Sequence, residues 1–493
     1  MIDYLMNNNR FRCRPKCRPR CRFAGLLLFT LLASCTTVGP DYKKPDRASP
    51  EAWVGQLEGG LTQQQLDPET LSQWWKSLGD PVLSGFVERA IAANLDLRTA
   101  EAQLCQARAQ RGIIGSTRFP TIDAEGFAIR TGSSENTGAG STSELYSSSF
   151  DAAWELDIFG GRHRALEAAE ADFQAAQEAR RDVLVSVLAE VAVNYIELRT
   201  FQAQYAVAKQ NLLVQLDTLE IVQAQFDAGA VLELDLERAV SNAETTRSEL
   251  PRLNQAITQA KNRLAVLIGQ TPGTVDKELD GLRLMSTPSV QIAVGVPAET
   301  LRRRPDVRRA ERQLAAETAR IGVATAVLYP KFTLAGTIGL ESLSPSNLIA
   351  SDSRTWGIGP SVQWNIFDGG RTRQKIAVQN ALQEQAMVQY EASILNALEE
   401  VENAITAFTQ EQLRYRSLVE SAAAAERAAN IAQTRYEAGA SNFLTVLDTQ
   451  RTLLSTQNRQ AASQGAIMSN LVRLYKSLGG GWTPEQPING KTE

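Results

Sequence analysis

Two acid and arginine pairs recur along the chain, Asp235 with Arg238 and Asp448 with Arg451, each acid three residues ahead of its partner. On a helix that spacing makes a solvated ion pair worth a few tenths of a kcal/mol. Groups able to break bonds are scarcer. The single histidine, His163, stands in a Gly-Gly-Arg turn with no Cys or Ser motif to pair with it. Neither Gly-Gly-Arg turn has the lysine or spacing of a phosphate loop. Acids are plentiful but diffuse, as on solvated helices, so catalysis is not expected. Cys13, Cys17 and Cys21 fall at helical spacing, yet no histidine or further cysteine completes a ligand set. No metal or cofactor is expected.

Cys35 has a different chemistry. A basic region from Arg10 to Arg22 precedes a short apolar core at residues 23–33, and Leu32-Ala33-Ser34-Cys35 follows at once. The core is too short to span a bilayer and reads as a cleaved secretory signal over residues 1-34. The small residues before Cys35 resemble a bacterial lipoprotein box, which implies a covalent lipid on Cys35 as the first mature residue. Thr36 follows it, with no Asp to suggest inner-membrane retention. Removing the signal takes seven basic residues and one acid from the chain's 51 and 55, leaving 44 against 54, net −10. A basic nucleic-acid footprint is absent. No later run of about 18 apolar residues exists, so any membrane crossing is expected from a β-barrel.

The elements that must hold these residues are written twice. NLDLRTAEAQLCQARAQRGIIGSTRFP, ending at Pro120, lies over RPDVRRAERQLAAETARIGVATAVLYP, ending at Pro330. Asp96 meets Asp306, Glu101 meets Glu311 and Gly112 meets Gly322. WELDIFGGR at Trp154 lies over WNIFDGGR at Trp364, and QFDAGA at Gln225 over RYEAGA at Arg435. A tandem duplication follows, each half running helix, strand, strand, long helix, glycine break, helix. The expected division is a lipidated arm over 35-80, a first repeat over 81-290, a second over 291-480 and a tail over 481-493.

Alternation marks the strands, expected near 120-130, 145-159, 330-341 and 353-367. Phe150, Ala152, Trp154, Leu156 and Ile158 share one face while Asp151, Glu155 and Asp157 take the other. Trp356, Ile358, Val362, Trp364 and Ile366 repeat the pattern, as do Phe332, Leu334, Ile338 and Leu340. Period two over about ten residues is the lipid-out, lumen-in signature of an outer-membrane strand. A soluble sandwich is the alternative. In the strand after Pro120 the apolar face slips from Ile122 and Ala124 to Phe127 and Ile129, for which a bulge near Gly126 is expected. Four strands cannot close on themselves, and the smallest membrane barrels need about eight, so several chains must pool theirs.

Long helices follow each strand pair, expected over about 161-228 and 370-438. Neither contains a proline, and at about 1.5 Å per residue each reaches about 100 Å. Positions 184, 188, 191, 195, 198, 202, 205, 209, 212, 216, 219, 223 and 226 step by four and three, and ten of the thirteen are apolar. That is a coiled-coil seam. Pro251 is expected to mark a bend or a division in the next helix. Trp74 and Trp75 are expected to pack the arm against the helices, and Trp154, Trp356 and Trp364 to form interfacial belts.

Together CTTVGPDYKKP at Cys35, WWKSLGDPVLSGFVERAIAANLDLRTAEA at Trp74, RRRPDVRRAE at Arg302, the two GGR turns and the two glycine breaks resemble the outer-membrane efflux factor family of the TolC, OprM and NodT type. The resemblance covers nearly all of the mature chain. It implies a mainly α fold with a membrane β-barrel portion: a homotrimer pooling twelve strands above a helical periplasmic tunnel. It also implies an exit duct for drugs or other small molecules, working with a periplasmic adaptor and an inner-membrane pump, commonly of the resistance-nodulation-division type. The duct would sit lipid-anchored in the outer membrane and reach into the periplasm. Gly229, Ala230 and Val231, with Gly439, Ala440 and Ser441, match the tips that meet the adaptor. Tyr436, Leu444, Asp448 and Arg451 match gate positions at the narrow end, where copies of the chain would bring like charges together. Asp235 and Arg238 stand three residues nearer their glycine and match less closely. The exit channel of a type I protein secretion system is the alternative, and a structural coiled-coil lipoprotein a further one.

Overall fold

The computed structural model describes residues 37–45, 50–64, 67–138, 140–282 and 292–483. The signal segment and Cys35 lie outside the described residues. The chain is mainly helical and carries two sheets, one of two short strands and one of four long ones. It forms two compact units, and each is built from both halves of the sequence.

The sheet unit joins residues 118–164 and 322–373 with the N-terminal strap that runs to Pro40. Strands β1 (Thr121–Gly132), β2 (Thr142–Leu156), β3 (Lys331–Ser342) and β4 (Arg354–Gln363) pair antiparallel in sequence order, leaving β1 and β4 as edges. The register puts Ala124 opposite Phe150, Phe150 opposite Ile338, and Ile338 opposite Trp356. A single apolar face therefore runs across all four strands, because the period of the side chains matches the pleat. That face is bare: Ile338 is 65% and Trp356 76% exposed. A soluble sandwich would cover it.

The bulge expected at Gly126 is absent. Residues from Thr121 to Gly132 pair one to one with Ala153 back to Thr142, Gly126 facing Ser148. Phe127 and Ile129 therefore lie on the opposite face from Ile122 and Ala124, against Ser147 and Leu145. An unbroken ladder keeps every backbone group that faces β2 in register with a partner, whereas a bulge would leave one unpaired to realign two side chains.

The helical unit holds the rest. In chain order its α-helices of seven residues or more are α1 (Pro81–Ala93), α2 (Leu95–Ser116), α3 (Gly161–Asp227), α4 (Glu233–Leu267), α5 (Pro297–Arg303), α6 (Pro305–Ala326), α7 (Arg371–Glu437) and α8 (Phe443–Ser477), the first residues of α3 and α7 belonging to the sheet unit. The bounds of α2, α3 and α4 recur 210 positions later in α6, α7 and α8, so the repeat extends to helix length: 22, 67 and 35 residues in both halves. Local residues set these ends. Asp80 caps α1 through the N–H groups of Val82 and Leu83 with Pro81 behind it, and Asn94 caps α2 through Asp96 and Leu97. Helix α4 runs through Pro251 without dividing. A single lost N–H is tolerated there because the flanking turns remain packed.

The main core gathers Trp74, Phe86, Leu188, Tyr195, Leu264, Val401 and Val472. Trp74 stacks on Tyr475 with centroids 5.5 Å apart, and both it and Trp75 are buried, so the arm is pinned to the helices as its apolar residues require. The Arg-rich motif before α6 is a clamp: Arg304 bridges Asp306 and Glu400 at 2.7 and 2.6 Å, and Arg303 donates to the Trp482 carbonyl at 2.8 Å.

Candidate functional site

The glycine breaks are tight reversals between paired helices. At Gly229 (φ +72°) the Ala230 N–H donates to the Gln225 carbonyl at 2.8 Å and the Gly229 N–H to the Phe226 carbonyl at 2.8 Å. Gly439 (φ +71°) repeats both bonds, with Ala440 on Arg435 and Gly439 on Tyr436. This is a left-handed helix stop that a Cβ disfavours. Gly229, Ala230, Gly439 and Ala440 are exposed, while Val231 and Ser441 are half-buried.

A small apolar cluster ties the two hairpins together just behind these turns. Val222, Ala239, Ala432, Tyr436, Phe443, Val446 and Leu447 form it. The Tyr436 hydroxyl hydrogen-bonds the Gln225 side-chain oxygen at 2.5 Å, and its ring lies 5.7 Å from that of Phe443. Burial, and then the negative charge of Asp235, push the Tyr436 pKa up. Leu444, by contrast, is 51% exposed.

The two expected ion pairs differ. Asp235 and Arg238 do pair, at 3.4 Å. Asp448 and Arg451 do not pair with each other: Asp448 is exposed, and Arg451 donates from Nε to the Asn242 side-chain oxygen at 3.1 Å. The reason is that α4 brings a buried amide alongside α8, so the guanidinium finds a partner 209 residues away rather than one turn back. Asn242 in turn donates to Gln450 at 3.3 Å, and Gln450 to the Thr218 hydroxyl at 3.0 Å. A chain of buried polar contacts thus links α8 to α4 and α3.

Asn242, Gln450 and Thr218 escape a search for apolar periodicity. The seam expected along α3 is buried where it holds Leu188, Val191, Tyr195 and Leu198, but Lys209 and Gln223 on it are exposed. Towards the tip the buried stripe moves to Ala208, Asn211, Gln215, Thr218 and Val222. These also step by three and four. A stripe of small and amide residues at helical spacing is the signal that would have found them.

No helix among the described residues is long and apolar enough to cross a membrane; the bare face belongs to the sheet. The family model described as outer membrane efflux protein matches this chain twice, over residues 86–270 and 296–480. Nodulation protein T of Rhizobium leguminosarum bv. trifolii is 30% identical over 461 residues, covering 92% of this chain and 97% of that protein. The pyoverdine export outer membrane protein OpmQ of Pseudomonas aeruginosa is 31% identical over 477 residues, covering 93% and 97%. The solved structure of the outer-membrane channel OprN superposes with a TM-score of 0.85 at 36% identity, covering 91% of this chain and 100% of that one. The chain therefore belongs to the outer membrane efflux protein family and is not an enzyme but an exit channel of the outer membrane, extending into the periplasm.

Proposed function

We propose that three copies of this chain pool their four strands into a twelve-stranded barrel, continued by a tunnel of the long helices, through which small molecules leave the cell. The observation that carries this reading is the sheet itself. Its apolar face is bare across four strands and both of its edges are unclosed, an arrangement that lipid does not tolerate until the edges are paired. Four strands fall short of the roughly eight a membrane barrel needs; copies of the same chain are the simplest supply. Trp154 and Trp364 lie towards the helix-proximal end of the sheet and Trp356 nearer the loops, the positions of two interfacial belts. A lipid on Cys35 anchors the chain. Each half of the sequence, 81-290 and 291-480, supplies one stave.

The tip is the gate and the docking end. Leu444, Asp448 and Arg451, with Asp235 and Arg238, line the constriction, and Tyr436, buried behind them, ties the two hairpins together; unpaired Asp448 carboxylates of neighbouring copies repel unless bridged. The exposed turns at Gly229, Ala230 and Val231 and at Gly439, Ala440 and Ser441 offer a periplasmic adaptor helical grooves, and an inner-membrane pump supplies the cargo. Small cargo is favoured because relatives are named for export of pyoverdine and for efflux of toluene.

The test is the mass of the detergent-solubilised complex, joined to labelling of a cysteine placed within residues 131–144 on intact cells. A three-chain mass with surface labelling is expected; a stable monomer removes the barrel. Asp448→Ala raises the conductance of the isolated channel in a planar bilayer, and an unchanged closed level removes the gate. Gly229→Val with Gly439→Val abolishes efflux at normal complex yield, since neither added Cβ meets a neighbour and the strain is confined to the turns. Full efflux removes the docking role.

A further inference from the structure

The strap of the sheet unit is built into the turn that opens α3. The Val38 N–H donates to the Phe159 carbonyl at 3.1 Å, and the buried Arg164 guanidinium donates to the carbonyls of Val38 and Gly39 at 3.1 and 3.3 Å. Gly160, at φ +74°, leaves no room for a side chain, because a Cβ there would lie 2.5 Å from Thr37. The counterpart turn in the second repeat has no such strap among the described residues. A Cβ on Gly370 would meet open space, and Gln374, the counterpart of Arg164, is exposed.

Where strap and turn meet there is a cavity of about 310 Å³, lined among others by Thr37, Arg118, Trp154, Ile158 and His163. Its two carboxylates are already engaged. Glu155 accepts from Arg162 at 2.7 Å, and Asp157 accepts from the N–H groups of Arg162 and His163 at 3.1 and 2.7 Å. The Trp154 indole N–H is likewise taken, by the Arg118 carbonyl at 2.9 Å. What remains for a ligand is the Arg118 guanidinium, which has no ion-pair partner among the described residues, the His163 imidazole, and the apolar surfaces of Trp154 and Ile158.

We propose that this cleft seats the glyceryl ester head of the chain's own lipid, carried on Cys35; the proposal rests on the lipidation put forward above. Cys35 is two residues before Thr37 in the sequence, and two residues of chain reach no more than about 7 Å, so a lipid on Cys35 starts within that reach of the cleft wall at Thr37. A diacylglyceryl thioether offers uncharged carbonyl acceptors to Arg118 and His163 and methylenes to Trp154 and Ile158. A lipid phosphate fits less well, because it would approach the carboxylates of Glu155 and Asp157. The volume lies at the lower end of the roughly 300–1,000 Å³ of ligand pockets, enough for the head and its first methylenes, leaving the acyl tails to the bilayer.

The test uses the full-length channel from cells fed an alkyne-tagged fatty acid. A photoreactive amino acid replaces Ile158 in one variant and its counterpart Asp368 in another, and irradiated products are digested and weighed. The N-terminal lipopeptide is expected in cross-links from position 158 and only at background from 368, and Arg118→Ala reduces the cross-link while intact mass still shows the lipid. Equal yield from both positions, or cross-links to free phospholipid alone, overturns the cleft while leaving a lipidated Cys35 in place. An unmodified Cys35 in the intact mass overturns both readings.

Discussion

Two interiors of the helical unit are built on opposite terms. Trp74, Phe86, Leu188 and Leu264 are large, apolar and at most 1% exposed, and beside them the Tyr195 hydroxyl donates to Asp80 at 2.6 Å. Burial pushes the Tyr195 pKa up to about 12. Behind the tip the apolar cluster is small, and the stripe leading to it is made of Asn211, Gln215 and Thr218, with both polar atoms of the Gln215 amide lacking a partner. Such an interior gains less from leaving water and separates at lower cost. One pair of long helices thus carries a tightly packed apolar frame and a more polar end, the end that the proposed gate would part.

The sharpest way to break this comparison is in the frame. Phe86→Ala empties a fully buried site and is expected to cost about 3–5 kcal/mol, read from denaturant unfolding of the solubilised channel. A loss no larger than at the tip would erase the distinction. Next comes Asn242→Ala, which strips the partner from Arg451 and Gln450. We expect about 1–3 kcal/mol of local destabilisation, seen as a raised closed-state conductance with little change in the global melting temperature. A melting shift as large as that of Phe86→Ala would mean that the tip belongs to the frame.

The smallest effect is a pH dependence of the tip. The raised pKa of Tyr436 means the packed tip holds that proton more tightly than a parted one would. Its contribution is complete below the ordinary tyrosine value near 10 and is lost as pH climbs through the raised one. Conductance should therefore rise in that alkaline window, and Tyr436→Phe should remove the step. A step that survives in the Phe variant assigns it to another group.

The strands, the long helices and the two glycine reversals were legible in the chain because each is a local rule: period two follows from the pleat, period 3.6 from the helix, and a left-handed stop from glycine. The duplication was legible for the same reason, since equal helix lengths need only equal spacing. Partner choice is not local. Spacing offered Arg451 an acid one turn back, yet packing gave it Asn242, and spacing invited a bulge at Gly126 where the ladder stayed whole. Nor does any repeat in the chain distinguish Gly160, covered by the strap, from Gly370, where a Cβ would meet open space. Backbone periodicity is written residue by residue; which polar group meets which, and which of two equal turns receives the N-terminal strap, is decided only when distant segments compete for the same space.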